Sequence, residues 1–213
     1  MFTSVLRLSC IVLVFAYGNS ALGDIADAKL QACVDKHARK YKWQAPLDFT
    51  QLVCHNKGIR TLKGLEAYGR LQKLSLHKNK LSSFDLSPFP ELSQLNLARN
   101  NLKSLTLENH QNLNALYIFG NRIKELTLSK MPELRQVKGN SNEMLAFVYQ
   151  DMPALKKIYL FDNEMEHIDI ERLPALKYMD VRENPMPDEL YEQMDAMLSV
   201  TILHDGNAED WNP

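Results

Sequence analysis

Apolar residues recur along most of the chain at an interval of about 21 residues, which separates Leu92 from Leu113. The clearest copy runs from Leu92 to Leu97, where leucines occupy the first, fourth and sixth positions of an LxxLxL frame. Further copies begin at Phe49, Leu71, Leu113, Leu134, Leu155, Leu176 and Met197. A fixed period of this size predicts stacked repeats, because one such unit cannot bury its own apolar face. We number these repeats 1 to 8 in chain order.

The spacing inside each repeat decides between strands and a helix. A coiled coil is the alternative, because three heptads have the same length as one repeat. However, LxL alternation places both leucines on one side of a strand, whereas heptad core positions are never two residues apart. Prolines also precede several frames, at Pro90, Pro132, Pro153 and Pro174, where a continuous helix would lose a hydrogen bond. The pattern therefore predicts one short strand in each repeat.

Two further features follow each predicted strand. An asparagine stands at the ninth position of six repeats: Asn79, Asn100, Asn121, Asn142, Asn163 and Asn184. Asparagine suits turns, so we interpret these residues as structural and not catalytic. A second alternating triplet then comes at Phe84–Leu86, Leu105–Leu107, Leu126–Leu128, Phe147–Tyr149 and Ile168–Ile170. This triplet predicts short extended segments on the opposite side of the repeat instead of full helices.

These features together resemble leucine-rich repeats of the irregular type LxxLxLxxNxLxxLxLxxx, with units of the same length, that occur in exported bacterial proteins. The resemblance implies a mostly β member of the α/β solenoids, a single right-handed arc over residues 49–186 with a parallel sheet on its concave face. It also implies that the asparagines form a ladder, and that the protein is a binding module acting by protein recognition. Lys57 replaces the asparagine and Gly139 replaces an apolar residue, so we expect local irregularity at both.

The two ends of the chain predict a leader and two caps. A short apolar run followed by small residues predicts a signal peptide over residues 1–23, and hence a secreted or periplasmic protein. Residues 24–48 are predicted to form an N-terminal cap with an amphipathic helix from Asp24 to Trp43. Residues 187–213 are predicted to form a C-terminal cap: a helix over 187–197, a last strand, and a loose tail from His204. No second long apolar run follows the leader, so we expect no membrane anchor.

Charge and cysteine content narrow the class of protein. The 25 basic and 26 acidic residues leave a formal net charge of −1, which disfavours nucleic acid as a partner. Once the leader is removed, Cys33 and Cys54 are the remaining cysteines. Two cysteines in an exported chain predict a disulfide, and the alternative is a buried thiol at Cys54.

Alternation along the strands predicts which side chains line the concave face. The candidate binding residues gather in repeats 4 to 7: Tyr117, Phe119, Lys138, Tyr159, Phe161, Tyr178, Asp180 and Arg182. Aromatic residues beside cations are typical of interface hot spots, whereas the alternative is that the rings only cover the sheet. We therefore predict a protein partner that is acidic or rich in aromatic residues, bound by a monomer.

No signature of an enzyme or a cofactor site is present in the sequence. It contains no GxSxG, HExxH, phosphate-binding glycine loop or CxxC pair, so we expect a protein that is not an enzyme and needs no cofactor. His55 and His77 fall in one column, but two imidazoles make an incomplete metal site, and we expect no metal. Two alternative functions stay open: a protein that binds cell-envelope glycan, and an exported hydrolase.

Overall fold

The structure is a computed structural model that describes residues 22–210. Nearly all of the predicted signal peptide, residues 1–21, lies outside this range. Among the described residues, no helix is both long enough and apolar enough to cross a membrane.

Eight short strands, one from each repeat, form a parallel sheet. They are β1 (Gln51–Val53), β2 (Lys73–Ser75), β3 (Gln94–Asn96), β5 (Ala115–Tyr117), β7 (Gln136–Lys138), β9 (Lys157–Tyr159), β10 (Tyr178–Asp180) and β11 (Thr201–Leu203). Leu74 pairs with Leu95, and Leu95 with Leu116, so the step between neighbouring strands equals the sequence period. The predicted fold class, a parallel-sheet solenoid, is confirmed.

The central residue of each strand points into the core. Leu74, Leu95 and Leu116 have no exposed surface, and the leucines of the frame stack on their equivalents in the next repeat. Full burial of one such side chain contributes about 1.5–3 kcal/mol, which explains why the apolar period governs the fold. The strand residues on either side of the central one face away from the core and are available for function.

Three strands from the second triplets form a smaller parallel sheet on the convex side. They are β4 (Ser104–Glu108), β6 (Glu125–Ser129) and β8 (Ala146–Gln150). The triplets at Phe84–Leu86 and Ile168–Ile170 contribute no strand to it. The extended convex segments predicted from the sequence therefore pair only in repeats 3 to 5.

The N-terminal cap covers the first repeat with helix α1 (Ala28–Tyr41). The helix begins later than the predicted Asp24, because Asp27 serves as its N-cap and accepts hydrogen bonds from the backbone of Lys29 and Leu30. The same carboxylate accepts from the backbone N–H of Arg60, which ties the cap to repeat 1. The predicted disulfide between Cys33 and Cys54 is confirmed, with Cα atoms 6.0 Å apart.

The C-terminal cap corrects two details of the sequence interpretation. Helix α2 (Asp188–Asp195) replaces the convex segment of repeat 7, and Met179 then pairs with Ile202 instead of with Val200. The last strand is therefore shifted by two residues, which places Leu203 beside Asp180. The predicted loose tail is also wrong: His204 is 1% exposed, and residues 205–210 form a 3-10 helix.

Gly139 does not cause the expected irregularity. Strand β7 keeps its register on both sides of the sheet, and a Cβ at Gly139 would lie 2.8 Å from Met144 Cε and 3.0 Å from Leu160 Cδ2. Side chains of the same and the next repeat therefore fill the space that a leucine would take. At Lys57, the backbone N–H donates to Asn79 Oδ1 at 3.1 Å, so the ladder begins one repeat later without breaking the solenoid.

Candidate functional site

The six asparagines fix the spacing of the strands that carry the candidate site. Asn100 is typical: its Nδ2 donates to the carbonyl oxygens of Leu97 at 2.8 Å and Leu76 at 3.0 Å, and its Oδ1 accepts from Leu81 N at 3.0 Å. Equivalent bonds between neighbouring repeats are made by Asn79, Asn121, Asn142, Asn163 and Asn184. These amides satisfy buried backbone groups that would otherwise cost about 1–3 kcal/mol each.

Strands β5, β7, β9 and β10 bring part of the candidate site into one column. Tyr117 pairs with Lys138, Lys138 with Tyr159, and Tyr159 with Asp180. Tyr117 and Tyr159 therefore face the same way, two strand spacings apart, or about 10 Å. Both rings are half-buried. The Tyr117 hydroxyl donates to Gln136 Oε1 at 3.3 Å, which holds its ring against the next strand.

Aromatic and cationic side chains contact one another across this column. The Lys138 ammonium lies 4.8 Å from the centre of the Tyr159 ring, within the range of a cation–π interaction. The rings of Tyr159 and Tyr178 are 5.1 Å apart and tilted by 41°. Burial, followed by the negative charge of Asp180, raises the pKa of Tyr178, so its hydroxyl stays protonated at neutral pH. The surface therefore presents neutral rings beside fixed positive charge.

Asp180 is not the exposed acid that the sequence suggested. It is 2% exposed and accepts two hydrogen bonds from Arg182, to Oδ1 at 2.9 Å and to Oδ2 at 2.8 Å. Its hydrogen bonds also raise the pKa of Arg182. Because the pair is internally neutralised, the remaining charge on this face is positive. Phe119 and Phe161 occupy the same outer column as Arg182 and are half-buried.

A row of exposed cations lies next to the aromatic residues. Lys156 N donates to the Arg135 carbonyl and Lys177 N to the Lys156 carbonyl, each at 2.9 Å, so these three residues stack on successive repeats. Arg135 forms an exposed ion pair with Glu133 at 3.2 Å, whereas Lys156 and Lys177 form no ion pair with any residue between 22 and 210. This row was visible in the sequence as soon as the period was known.

Comparisons with known proteins bear on the fold. No protein-family model matches the sequence, and no curated protein does. The leucine-rich-repeat domain of a Shigella effector matches with a TM-score of 0.54 at 14% identity, over 85% of this chain and 91% of the other. YopM from Yersinia enterocolitica matches with a TM-score of 0.50 at 22% identity, over 74% of this chain and 36% of YopM. The functional domain of InlJ from Listeria monocytogenes matches with a TM-score of 0.39 at 18% identity, over 79% of this chain and 52% of that domain.

The chain has the leucine-rich-repeat fold. The likeness to the Shigella domain, together with the ladder and the parallel sheet, confirms the fold that the resemblance implied. This chain spans about half the length of the InlJ domain, since the match covers 52% of that domain. At these identities the comparisons establish the fold only. The ligand of this leucine-rich-repeat chain has to be inferred from its own residues.

The N-terminal half of the leucine-rich-repeat sheet carries a different arrangement. A shallow depression of about 340 Å³ lies over strands β1, β2 and β3 and reaches Tyr117 of β5, and its lining includes His55, Ser75 and Asn96. His55 Nε2 and Ser75 Oγ are 2.6 Å apart, and the rings of His55 and His77 are 5.5 Å apart. Sequence reasoning missed the contact between His55 and Ser75. His55 is the seventh residue of repeat 1 and Ser75 is the fifth residue of repeat 2, so the two lie in adjacent columns of neighbouring repeats.

Histidines and cysteines of this half lie close enough together to be considered as metal ligands. Among residues 22–210, one group of three potential ligands lies close together: Cys33, His37 and Cys54. Its two cysteines are bonded to each other, and His37 Nδ1 lies 2.9 Å from the Cys33 carbonyl oxygen. The group therefore joins the cap to the first repeat and has no free thiolate with which to hold a metal.

Proposed function

We propose that this protein is an exported binding module that recognises a protein partner through repeats 4 to 7 of its concave face, without catalysis. The observation that carries the proposal is the register of β5, β7 and β9. It makes Tyr117, Lys138 and Tyr159 neighbours in one column. Residues that are scattered through the sequence thereby become one contiguous surface, as the binding of a folded partner requires.

The composition of this surface favours an acidic partner that is rich in aromatic residues. Half-buried rings can add contact area at little entropic cost, because they are already held by their neighbours. Lys138, Lys156, Lys157 and Lys177 supply positive charge, and Asp180, the acid in the central column, is already paired with Arg182. Complementary charge on the partner would speed association and fix its orientation.

Export is supported by the N-terminal cap and by the sequence that precedes it. The disulfide between Cys33 and Cys54 is of a kind that persists in oxidising compartments. The apolar run within residues 1–23 has the length of a signal-peptide core. On these two grounds we propose a secreted or periplasmic location.

Affinity capture with a concave-face variant tests the proposal. Residues 24–213 are immobilised, and proteins retained from a native extract are compared for wild type and for Tyr117→Ala with Phe161→Ala. We expect the specific partner to be lost from the variant, because both rings belong to the proposed surface, one in repeat 4 and the other in repeat 6. The matched control is His55→Ala with Gln94→Ala, on the N-terminal half of the same sheet, which should retain it. Equal capture by all three proteins would contradict the proposal.

The glycan alternative rests on the same rings. Tyr159 and Tyr178, with centres 5.1 Å apart beside Lys138, could also stack on sugar rings. A glycan array separates the two ligands: saturable binding that is lost in the Tyr117 and Phe161 variant would replace the protein partner by a glycan. Screening against ester, peptide and glycoside substrates tests the hydrolase alternative.

A further inference from the structure

The loops that follow the concave strands form a continuous edge along the solenoid. Three columns of mostly exposed residues define this loop edge: one residue before, one after and three after each ladder asparagine. Backbone hydrogen bonds join these loops from repeat to repeat, such as Lys78 N to the Ala98 carbonyl and Arg122 N to the Leu102 carbonyl, each at 2.9 Å. The loop edge is therefore a regular surface whose side chains recur about every 4.8 Å.

Charge along the loop edge is divided into two blocks. In its three columns, repeats 2 to 4 carry six cations and no acid: Lys78, Lys80, Arg99, Lys103, Arg122 and Lys124. The same positions in repeats 5 to 7 carry five acids and no cation: Glu143, Asp162, Glu164, Glu166 and Glu183. All of these side chains are exposed, and none forms an ion pair with another residue in the part of the chain that the structure describes.

This arrangement is unfavourable within a single chain. Lys78 and Arg99 stack on neighbouring repeats, as do Asp162 and Glu183, and like charges at this spacing repel each other. The same four residues have φ between 55° and 58°, the left-handed region, which costs a residue with a side chain about 1–2 kcal/mol. Gly120 fills the equivalent place in repeat 4 with φ of 67°. The charged side chains therefore bring a cost that contacts within the chain do not offset.

We propose that the loop edge is an interface for a second copy of this chain. A two-fold axis between repeats 4 and 5 would place each basic block against the acidic block of the other copy. In that arrangement Arg122 faces Glu143, Arg99 faces Asp162 and Lys78 faces Glu183, and symmetry makes each pair twice. A surface with one basic and one acidic half is complementary to itself only in this antiparallel orientation.

The proposed dimer is independent of the binding function proposed above. The loop edge borders the concave sheet but leaves Tyr117, Lys138 and Tyr159 uncovered. Because the loop edge is narrow and polar, the association belongs to the weak class of interfaces and depends on ionic strength. It replaces the expectation of a monomer that was drawn from the sequence.

Sedimentation velocity of residues 24–213 over a range of concentrations tests for the dimer. We expect self-association at low salt that weakens by about tenfold or more between roughly 30 and 300 mM ionic strength, because screening acts on exposed charges. A chain that stays monomeric at low salt and millimolar concentration would overturn the proposal. Dimerisation that is insensitive to salt would overturn it equally, because a different surface would then be responsible.

Charge reversal identifies the surface. Arg99→Glu with Arg122→Glu makes the loop edge largely acidic, and Glu143→Lys with Asp162→Lys, at the positions that face them, makes it largely basic. Each variant alone should be monomeric, whereas an equal mixture of the two should form a heterodimer. The matched control is Lys36→Glu with Lys130→Glu, two exposed lysines away from the loop edge, which should dimerise as the wild type does. Failure of the mixture to associate would reject the interface.

A second pair of substitutions separates association from folding. Arg99→Gly with Asp162→Gly removes one cation and one acid at positions where glycine meets no backbone strain, since their φ angles are 55° and 58°. We expect thermal stability to be kept or raised while self-association weakens by about tenfold. Unchanged association in this variant would show that the charges have no part in the interface. The concave variant Tyr117→Ala with Phe161→Ala should dimerise normally, so the two proposals fail separately.

Discussion

The two halves of the concave sheet share one backbone and differ in the side chains that it presents. Repeats 1 to 3 place small polar groups and histidines over a shallow depression, with His55 Nε2 at 2.6 Å from Ser75 Oγ. Repeats 4 to 7 place rings and lysines at the equivalent positions, with Lys138 at 4.8 Å from the Tyr159 ring. Outward side chains add little to the core, so they vary without changing the fold. The spacing of a binding surface is therefore set by the repeat, and its chemistry by positions that the repeat leaves free.

The largest effect should come from the scaffold, and it should be equal in both halves. Asn100→Leu and Asn163→Leu each remove an amide that satisfies backbone groups of two repeats, and each should cost about 2–4 kcal/mol in the free energy of unfolding. Urea denaturation measures the loss. Asn101→Ala, on an exposed neighbour, should cost less than about 0.5 kcal/mol. A much larger loss in one half than in the other would show that the two halves do not share one scaffold.

A smaller effect on the free energy of unfolding should distinguish Asp180, in repeat 7, from Asn96, in the same column of repeat 3. Asp180→Ala leaves Arg182 without its two hydrogen bonds and should cost about 1–2 kcal/mol, because the Arg182 side chain is 39% exposed and can regain water. Asn96→Ala, in the same column of repeat 3, removes one bond to Ala98 N and should cost less. The variant at position 180 also frees Arg182, so it should bind an acidic partner more tightly at low salt. Weaker binding would contradict the proposed charge preference.

A third difference between the two halves is a buried histidine beneath the convex side of the N-terminal half. His110 occupies an apolar column that continues as Met131 and Met152, and it is 6% exposed. Neither ring nitrogen has a hydrogen-bond partner of good geometry among the described residues. Burial lowers the pKa of His110 from its ordinary value of 6.5, an effect that the nearby backbone of Leu86 and Phe89 partly opposes.

Replacing this histidine should stabilise the N-terminal half and flatten its dependence on pH. His110→Met matches the neighbouring repeats and should gain about 1 kcal/mol at pH 7, because an unsatisfied polar group is removed. Since the folded pKa lies below the unfolded one, wild type binds more protons when unfolded and loses stability as pH falls below about 6.5. Urea unfolding at pH 7.5 and 5.5 should show a smaller loss for the variant. An equal loss in both proteins would mean that His110 is not the titrating group.

The sequence predicted what repeats and missed what interrupts the repeat. The step from Leu95 to Leu116 and on to Val137 follows from apolar periodicity alone, because each of these residues must be buried. The step from Met179 to Ile202 could not be predicted in this way. The segment that contains helix α2 is two residues longer than the period, and the apolar Val200 suggested the wrong register for the last strand. With the corrected register, His204 falls at an inward position and Asn207 at the place of a seventh ladder asparagine.

The candidate site was predictable in its columns but not in its contacts. Periodicity alone places Tyr117, Lys138 and Tyr159 together. It does not reveal that Arg182 bends back to Asp180, because that depends on side-chain rotamers. The charged columns of the loop edge were equally visible in the sequence. The backbone hydrogen bonds between successive loops were needed to show that the basic and acidic blocks form one continuous surface.

The smallest predicted effect concerns the charge of the two halves near neutral pH. Burial first, and then the charges of His55, Arg99 and Lys78, lower the pKa of His77 from its ordinary value of 6.5. The imidazole should therefore be less than half protonated at pH 6.5, and the N-terminal half should gain most of its positive charge only in more acid solution. NMR titration of the ring protons measures this pKa. His55→Ala should move it upward, because one of the neighbouring groups that lower it is removed, whereas Lys156→Ala, in the other half, should leave it unchanged. A His77 that titrated above 6.5 would contradict this prediction, because the N-terminal half would then gain positive charge from it near neutral pH.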